Sequence, residues 1–229
     1  MPADYRIPWG RIVLEGAVIV VSILLAFALD AWWTESQERE RVGEMLEAVA
    51  SEFESEVAAM DSVAAENERA IAWYGKTLQR TRPELPPLSE DSLEILGNEI
   101  YDFQIWEAGF GALAALLNGA LLEKVPEPEL RRLLGGWDGE LEDLQYSRDQ
   151  VYDGTQRVAD LLVATGRAPQ LLDDENLYVT RLRAMATNRE LRAAETIVAD
   201  ALHAYHADLY RARERASDIV VRIRRGSAP

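Results

Sequence analysis

Cysteine is absent from this chain and histidine occurs only twice. The first absence excludes disulfides, thiolate nucleophiles, zinc–thiolate sites and a lipid-modified cysteine. The second leaves little material for acid–base work near neutral pH or for a multi-histidine metal centre. Positive charge is also short. Lys+Arg 24 against Asp+Glu 40 gives a formal net charge of −16, a field that repels phosphate backbones and excludes nucleic acid as a partner. There is no G-x-S-x-G elbow, no P-loop and no stretch that reads as a strand. Gly109-Phe110-Gly111-Ala112-Leu113-Ala114 matches G-x-G-x-x-A only formally, because the strand and βαβ unit that such a site needs are missing. It reads as a helix-to-helix turn, and no cofactor is implied.

What the chain does have is one long apolar run, "RIVLEGAVIVVSILLAFALDAWW", from Arg11 to Trp33. Between Ile12 and Leu29 the only ionisable side chain is Glu15, and eighteen helical residues reach about 27 Å, close to the thickness of a hydrocarbon core. Trp9 precedes the run and Trp32 and Trp33 follow it, where indoles sit at the two headgroup levels of a span. Arg11 and Glu15 are one turn apart and can neutralise each other near the headgroups. A core helix would carry a polar face, and here only Ser22 interrupts the apolar surface after Gly16. A cleaved export signal is the competing reading, with Ala26-Phe27-Ala28 as its A-x-A site and cleavage after Ala28. The run is longer than a usual signal and its leading segment holds only Arg6 and Arg11. The anchor reading is therefore taken. The slight excess of base before the span places the N-terminus in the cytoplasm and the body outside.

Beyond the run, Val42, Leu46, Val49, Phe53, Val57, Met60, Ala64, Ile71, Tyr74 and Leu78 keep three- and four-residue steps, missing a beat at Asn67. The spacing predicts one long amphipathic helix. Thr34-Glu35-Ser36-Gln37 could restart it as a capping box, and Gly43 is a weak point. Pro83, Pro86 and Pro87 end it. Ser89 starts a second helix that buries Leu93, Leu96, Ile100 and Phe103 and fades near Gly109. A third runs from Phe110 to Asn118, with Asn118-Gly119 as a left-handed stop. Pro126 and Pro128, with Glu127 and Glu129, open a fourth, striped by Leu130, Leu134, Trp137, Leu141, Leu144, Arg148, Val151, Thr155, Val158 and Leu162, with a kink expected at Gly135, Gly136 and Gly139 and an end at Gly166 and Pro169. After a short element from Asp174 to Met185, a capping box at Thr187 to Glu190 opens the last helix, which runs to about Arg225.

Few residues suggest chemistry. Asp200, His203 and His206 fall at i, i+3 and i+6 of the last helix and are candidate metal ligands, although a di-iron bundle needs histidine on two helices. Trp73, Phe103, Trp106, Phe110 and Trp137 are candidates for lining a ligand pocket, against the commoner role of aromatics as core. The C-terminal Arg222, Arg224 and Arg225 complement a helix dipole, or meet anionic headgroups if the last helix returns to the membrane.

"LEGAVIVVSILLAFALDAWWTESQERERVGEMLEAVASEFE" and "LAALLNGALLEKVPEPELRRLLGGWDGELEDL" resemble an uncharacterised family of bacterial single-pass membrane proteins. The matching residues are Glu15, Trp32 or Trp33, Gly119, Pro128, Glu129, Leu130 and Arg131. The resemblance implies a bacterial source and a retained anchor, and it implies no activity.

The expectation is an all-α protein, with an N-terminal transmembrane helix followed by an elongated antiparallel bundle of long amphipathic helices. It divides into a short tail (1–11), an anchor (12–33), a bundle (34–225) and a flexible C-terminus (226–229). Its expected place is the bacterial inner membrane, and its expected partners are the bilayer through residues 12–33 and a second copy or another envelope protein. The expected role is a non-catalytic scaffold or input domain. A small-molecule-sensing bundle is the alternative, and a metal-dependent bundle enzyme is the third. The seam for self-association is expected on the stripe from Val42 to Leu78 and on the anchor.

Overall fold

No proline lies between Pro8 and Pro83, and nothing in that interval stops a helix. In the computed structural model a single helix, α1, runs Trp9–Arg80, 72 residues and about 108 Å long. The structure describes residues 9–98, 102–164 and 177–226, with side chains for 20–97, 102–164 and 179–226. Thr34 does not restart α1 and Gly43 does not break it. Stalk and bundle helix are one rod.

After the prolines come α2 (Glu90–Asn98), α3 (Gly111–Asn118), a 3-10 turn (Leu122–Lys124), α4 (Pro128–Gly135), α5 (Trp137–Ala164), α6 (Leu177–Thr187) and α7 (Arg189–Gly226). There is no strand among the described residues, and the protein is all-α.

The long helix α7 is the hub. It packs along both α1 and α5, with Leu191, Val198, Leu202, Tyr205, Leu209, Ala212, Ala216, Ile219 and Ile223 all buried, as their spacing predicts. Ion pairs set its direction against α1. Arg213 meets Asp61 at 2.8 Å, and Arg224 near the end of α7 meets Glu54 at 3.0 Å and also Glu47. Rising numbers on α7 thus match falling numbers on α1, and the two are antiparallel. Against α5 the contact is close: a Cβ added to Gly154 would lie 3.1 Å from Val198 Cγ2. A glycine there lets the two backbones approach.

Several boundaries differ from the expectation. The second helix is described over Glu90–Asn98 and residues 102–110 are irregular, so Phe103 lies outside any helix rather than in one that fades near Gly109; Ile100 lies outside the described residues. The left-handed residue after α3 is Ala120, at φ 51°, while Gly119 has φ −77°. Glycine still suits position 119, because an added Cβ would sit 2.9 Å from the Ala115 carbonyl oxygen. The expected fourth helix is two, broken at Gly136. The cap of α7 is Asn188, whose Oδ1 accepts from the Glu190 and Leu191 N–H groups at 2.9 and 3.2 Å. Thr187 instead donates back to the carbonyls of Arg183 and Ala184, closing α6.

The stripe from Val42 to Leu78 is occupied within the chain by α7 and its neighbours. It is not a free seam for a second copy.

Candidate functional site

The first part of α1 stands outside the bundle. From Val20 to Trp33 every described side chain is exposed, and the large apolar ones are 49–69% accessible. Isolated exposed leucines are ordinary, but a helix that exposes apolar side chains on every face, interrupted only by Ser22 and Asp30, is not. Among the described residues no helix is long and apolar enough to cross a membrane. The described side chains begin at Val20, inside the apolar run, so Trp9, Arg11 and Glu15 lie outside them. Trp32 and Trp33 are exposed at the end of the run.

Where α1 enters the bundle there is a groove of about 510 Å³. Its apolar lining is Val42, Leu46, Pro126, Leu130 and Ile223. Arg39, Lys124 and Arg222 supply cations, Glu47 and Glu127 supply carboxylates, and Gly43 and Gly226 complete the wall. Lys124 pairs with Glu38 at 2.5 Å, and Arg222 pairs with Asp218 at 2.9 Å and with Glu127. The α7 terminus therefore returns to the level at which the stalk emerges, as the arginines at its end allow.

Of the five aromatic candidates, three come together. Phe110 lies 5.3 Å from Trp137 and 6.1 Å from Trp106, with Phe53 at 4.8 Å from both Phe110 and Trp137. Tilted and edge-on contacts fill this space as core. Trp73 is elsewhere, edge-on to Tyr74, with its indole N–H donating to the Leu96 carbonyl at 2.9 Å. Phe103 is half-buried against the core and outside the ring cluster. Two clefts, of about 240 and 360 Å³, share Ala108 and Leu141 and flank the cluster. Among the described residues the buried Trp137 N–H has no hydrogen-bond partner.

The segment 102–110 carries backbone polar groups over the bundle, and α1 and α7 satisfy them with side chains. Asn67 takes both polar groups of Gln104, Tyr205 accepts from the Trp106 N–H at 2.7 Å, and Glu56 accepts from the Trp106 indole at 2.9 Å. Glu52 accepts from the Ala112 and Leu113 N–H groups at 2.9 and 3.0 Å, capping α3 from a different helix. Burial pushes the Tyr205 hydroxyl up to about 12, so it stays protonated. Under α6, Arg181 makes two 2.5 Å hydrogen bonds to a fully buried Glu195 and a third to the Tyr74 hydroxyl at 3.0 Å. Burial works against the Arg181 charge, and the Glu195 carboxylate more than reverses it, so its pKa is raised.

The metal candidates do not converge. His203 Nδ1 is tied to the Ala199 carbonyl oxygen at 2.8 Å, and His206 stacks edge-on against Tyr210 and faces Glu68 at 3.9 Å. Asp200 is exposed. Among the described residues no three His, Asp or Glu side chains gather as a metal site.

Sequence reasoning missed Asn67, Glu52, Glu56, Arg181 and Glu195. Two left a signal: Asn67 breaks the stripe of α1, and Glu195 sits on the step between Leu191 and Val198 where an apolar residue is due. The other three look like surface charges until the segment 102–110 and α6 are placed. Compared with models of protein families, with curated proteins and with solved structures, the chain matches none.

Proposed function

We propose that this chain is a bacterial single-pass membrane protein: residues 12–33 anchor it, and its bundle works without catalysis, as a scaffold or input domain through protein contacts. The observation that carries this is the exposed apolar surface from Val20 to Trp33 on a helix continuous with the bundle. In water that surface is unfavourable at roughly 25 cal/mol per Å². Lipid removes it. The distribution of charge agrees. Of the described residues, 34–47, 120–135 and 216–226, the end beside the stalk, hold eight Lys/Arg and nine Asp/Glu; 48–98, 102–119, 136–164 and 177–215 hold thirteen and twenty-four. An end of net charge near zero can stand on an anionic bilayer, whereas a body of −11 is repelled from it. With the stripe of α1 filled by α7, self-association falls to the anchor. The basic residues flanking the run favour a cytoplasmic N-terminus and an extracytoplasmic body.

Intact mass of the protein from membrane and soluble fractions tests this. A full-length mass confined to the membrane after a carbonate wash is expected. A soluble species beginning at Leu29 would overturn it and make the run an export signal. The second reading, a small-molecule-sensing bundle, is favoured by the two clefts beside the aromatic cluster and would show as a ligand-dependent rise in melting temperature.

A further inference from the structure

We infer that the groove at the foot of the bundle binds the headgroup of an anionic phospholipid. This rests on the anchor reading. Arg39 lies six residues beyond Trp33, about 9 Å along the helix, and side chains on a helix lean toward its N-terminus. The guanidinium is thereby directed to the layer that headgroups occupy outside a span ending at Trp33. Lys124 and Arg222 bring two more cations from the 3-10 turn and α7, while Glu47 and Glu127 are the acids of the lining. Three cations and two carboxylates line the groove, and Glu35, Glu38 and Asp218 outside the lining pair with Arg39, Lys124 and Arg222. A phosphodiester, with its single negative charge, can take the place of the exposed Glu35 or Glu38 carboxylate.

The acids are already engaged, Glu127 by Arg222 and Glu47 by Arg224. Among the described residues Lys124 and Arg39 are ion-paired with Glu38 and Glu35 of the stalk, in exposed pairs that a phosphate can replace. The floor supplies what a free phosphate would not use: Val42, Leu46, Leu130 and Ile223 form an apolar surface suited to the glycerol and the first methylenes of a lipid. A second copy of the chain would bring its own net charge of −16, which disfavours close approach to the same face.

The test is thermal unfolding of the full-length protein, in dodecyl maltoside, titrated with dihexanoyl phosphatidylglycerol or dihexanoyl phosphatidylcholine. The expected result is a melting temperature raised by about 3 °C or more with the glycerol headgroup and unchanged with choline. The double variant Arg39→Gln/Lys124→Gln is expected to lose the difference. Glu38→Gln, which frees Lys124, is expected to keep or enlarge it, an effect that loss of a merely structural ion pair does not produce. Equal responses to both lipids overturn the proposal, as does a phosphatidylglycerol effect that survives the double variant. A melting temperature that ignores both lipids and climbs with protein concentration assigns the groove to a second copy and also overturns it. Failure of the anchor reading shows separately, as a soluble species starting at Leu29, and the same titration still reads the groove in that species.

Discussion

Asn67 on α1 and Gln104 in the segment 102–110 exchange two hydrogen bonds: the Asn67 amide donates to the Gln104 carbonyl at 2.9 Å, and the Gln104 N–H donates to Asn67 Oδ1 at 2.8 Å. Asn67 is fully buried, so the pair stands in for the backbone ladder that this segment lacks. Replacing Asn67 by leucine would complete the apolar stripe and still harm the protein, because both polar groups of Gln104 would be left without partners. Asn67→Leu is expected to cost about 2 kcal/mol or more. Urea unfolding followed by circular dichroism checks it, and a neutral result would mean that water replaces the asparagine.

The pair Arg181–Glu195 makes a different demand. Glu195→Leu strands a guanidinium beneath α6 and is expected to cost about 3–5 kcal/mol. Arg181→Met/Glu195→Leu removes both charges and is expected to recover most of that loss, because desolvating two ions offsets much of their attraction. If the double variant were as unstable as the single one, the Arg181–Tyr74 bond would be the dominant contact.

Two glycines give opposite outcomes. At Gly154 an added Cβ would lie 3.1 Å from Val198 Cγ2 and 3.5 Å from its Cα, so Gly154→Val is expected to cost about 1–3 kcal/mol by prising α5 from α7. At Gly43 nothing lies within 4 Å. Gly43→Ala is therefore expected to stabilise α1 by about 0.5–1 kcal/mol, the difference in helix propensity. Melting temperatures of the two variants are expected to move in opposite directions.

His206 makes stability depend on pH. Burial holds its pKa below the ordinary 6.5; Glu68 on α1 pulls it up, His203 on its own helix pushes it further down, and Tyr210 packs against the ring. The unfolded chain takes up a proton near pH 6.5 that the folded chain resists. The stabilising effect is complete above that pH and is lost as pH falls through the lower folded value. Melting temperature is thus expected to decline between pH 7.5 and 5.5, and less so in His206→Phe. Identical slopes for the two proteins would assign the decline to other groups.

Much of the fold was legible from spacing. The predicted face of α7 is buried at each position, because a helix that packs along its whole length on two others must keep one apolar stripe in phase. The prolines marked the end of α1 and the start of α4 for a local reason, the missing N–H and the fixed φ. Boundaries set by competition between neighbouring caps were less legible, as where Asn188 caps α7 in place of Thr187. So was the fate of Phe103, since a helix from Ser89 could have continued until Asn67, distant in sequence, offered the backbone a better set of partners.

For the candidate site the division is sharper. Composition, charge and the apolar run from Ile12 to Leu29 were written in the sequence alone, because burial in lipid or protein responds to local hydrophobicity. The sequence likewise determined the all-α class and the order of the long helices. Only the tertiary structure decided that α7 fills the stripe of α1, that three of five aromatics form a packed cluster, and that Arg39, Lys124 and Arg222 meet at one groove. These three cations come from segments separated by 85 and 98 positions in the numbering. Their proximity depends on the antiparallel return of α7 along α1, a long-range relation that no local pattern encodes.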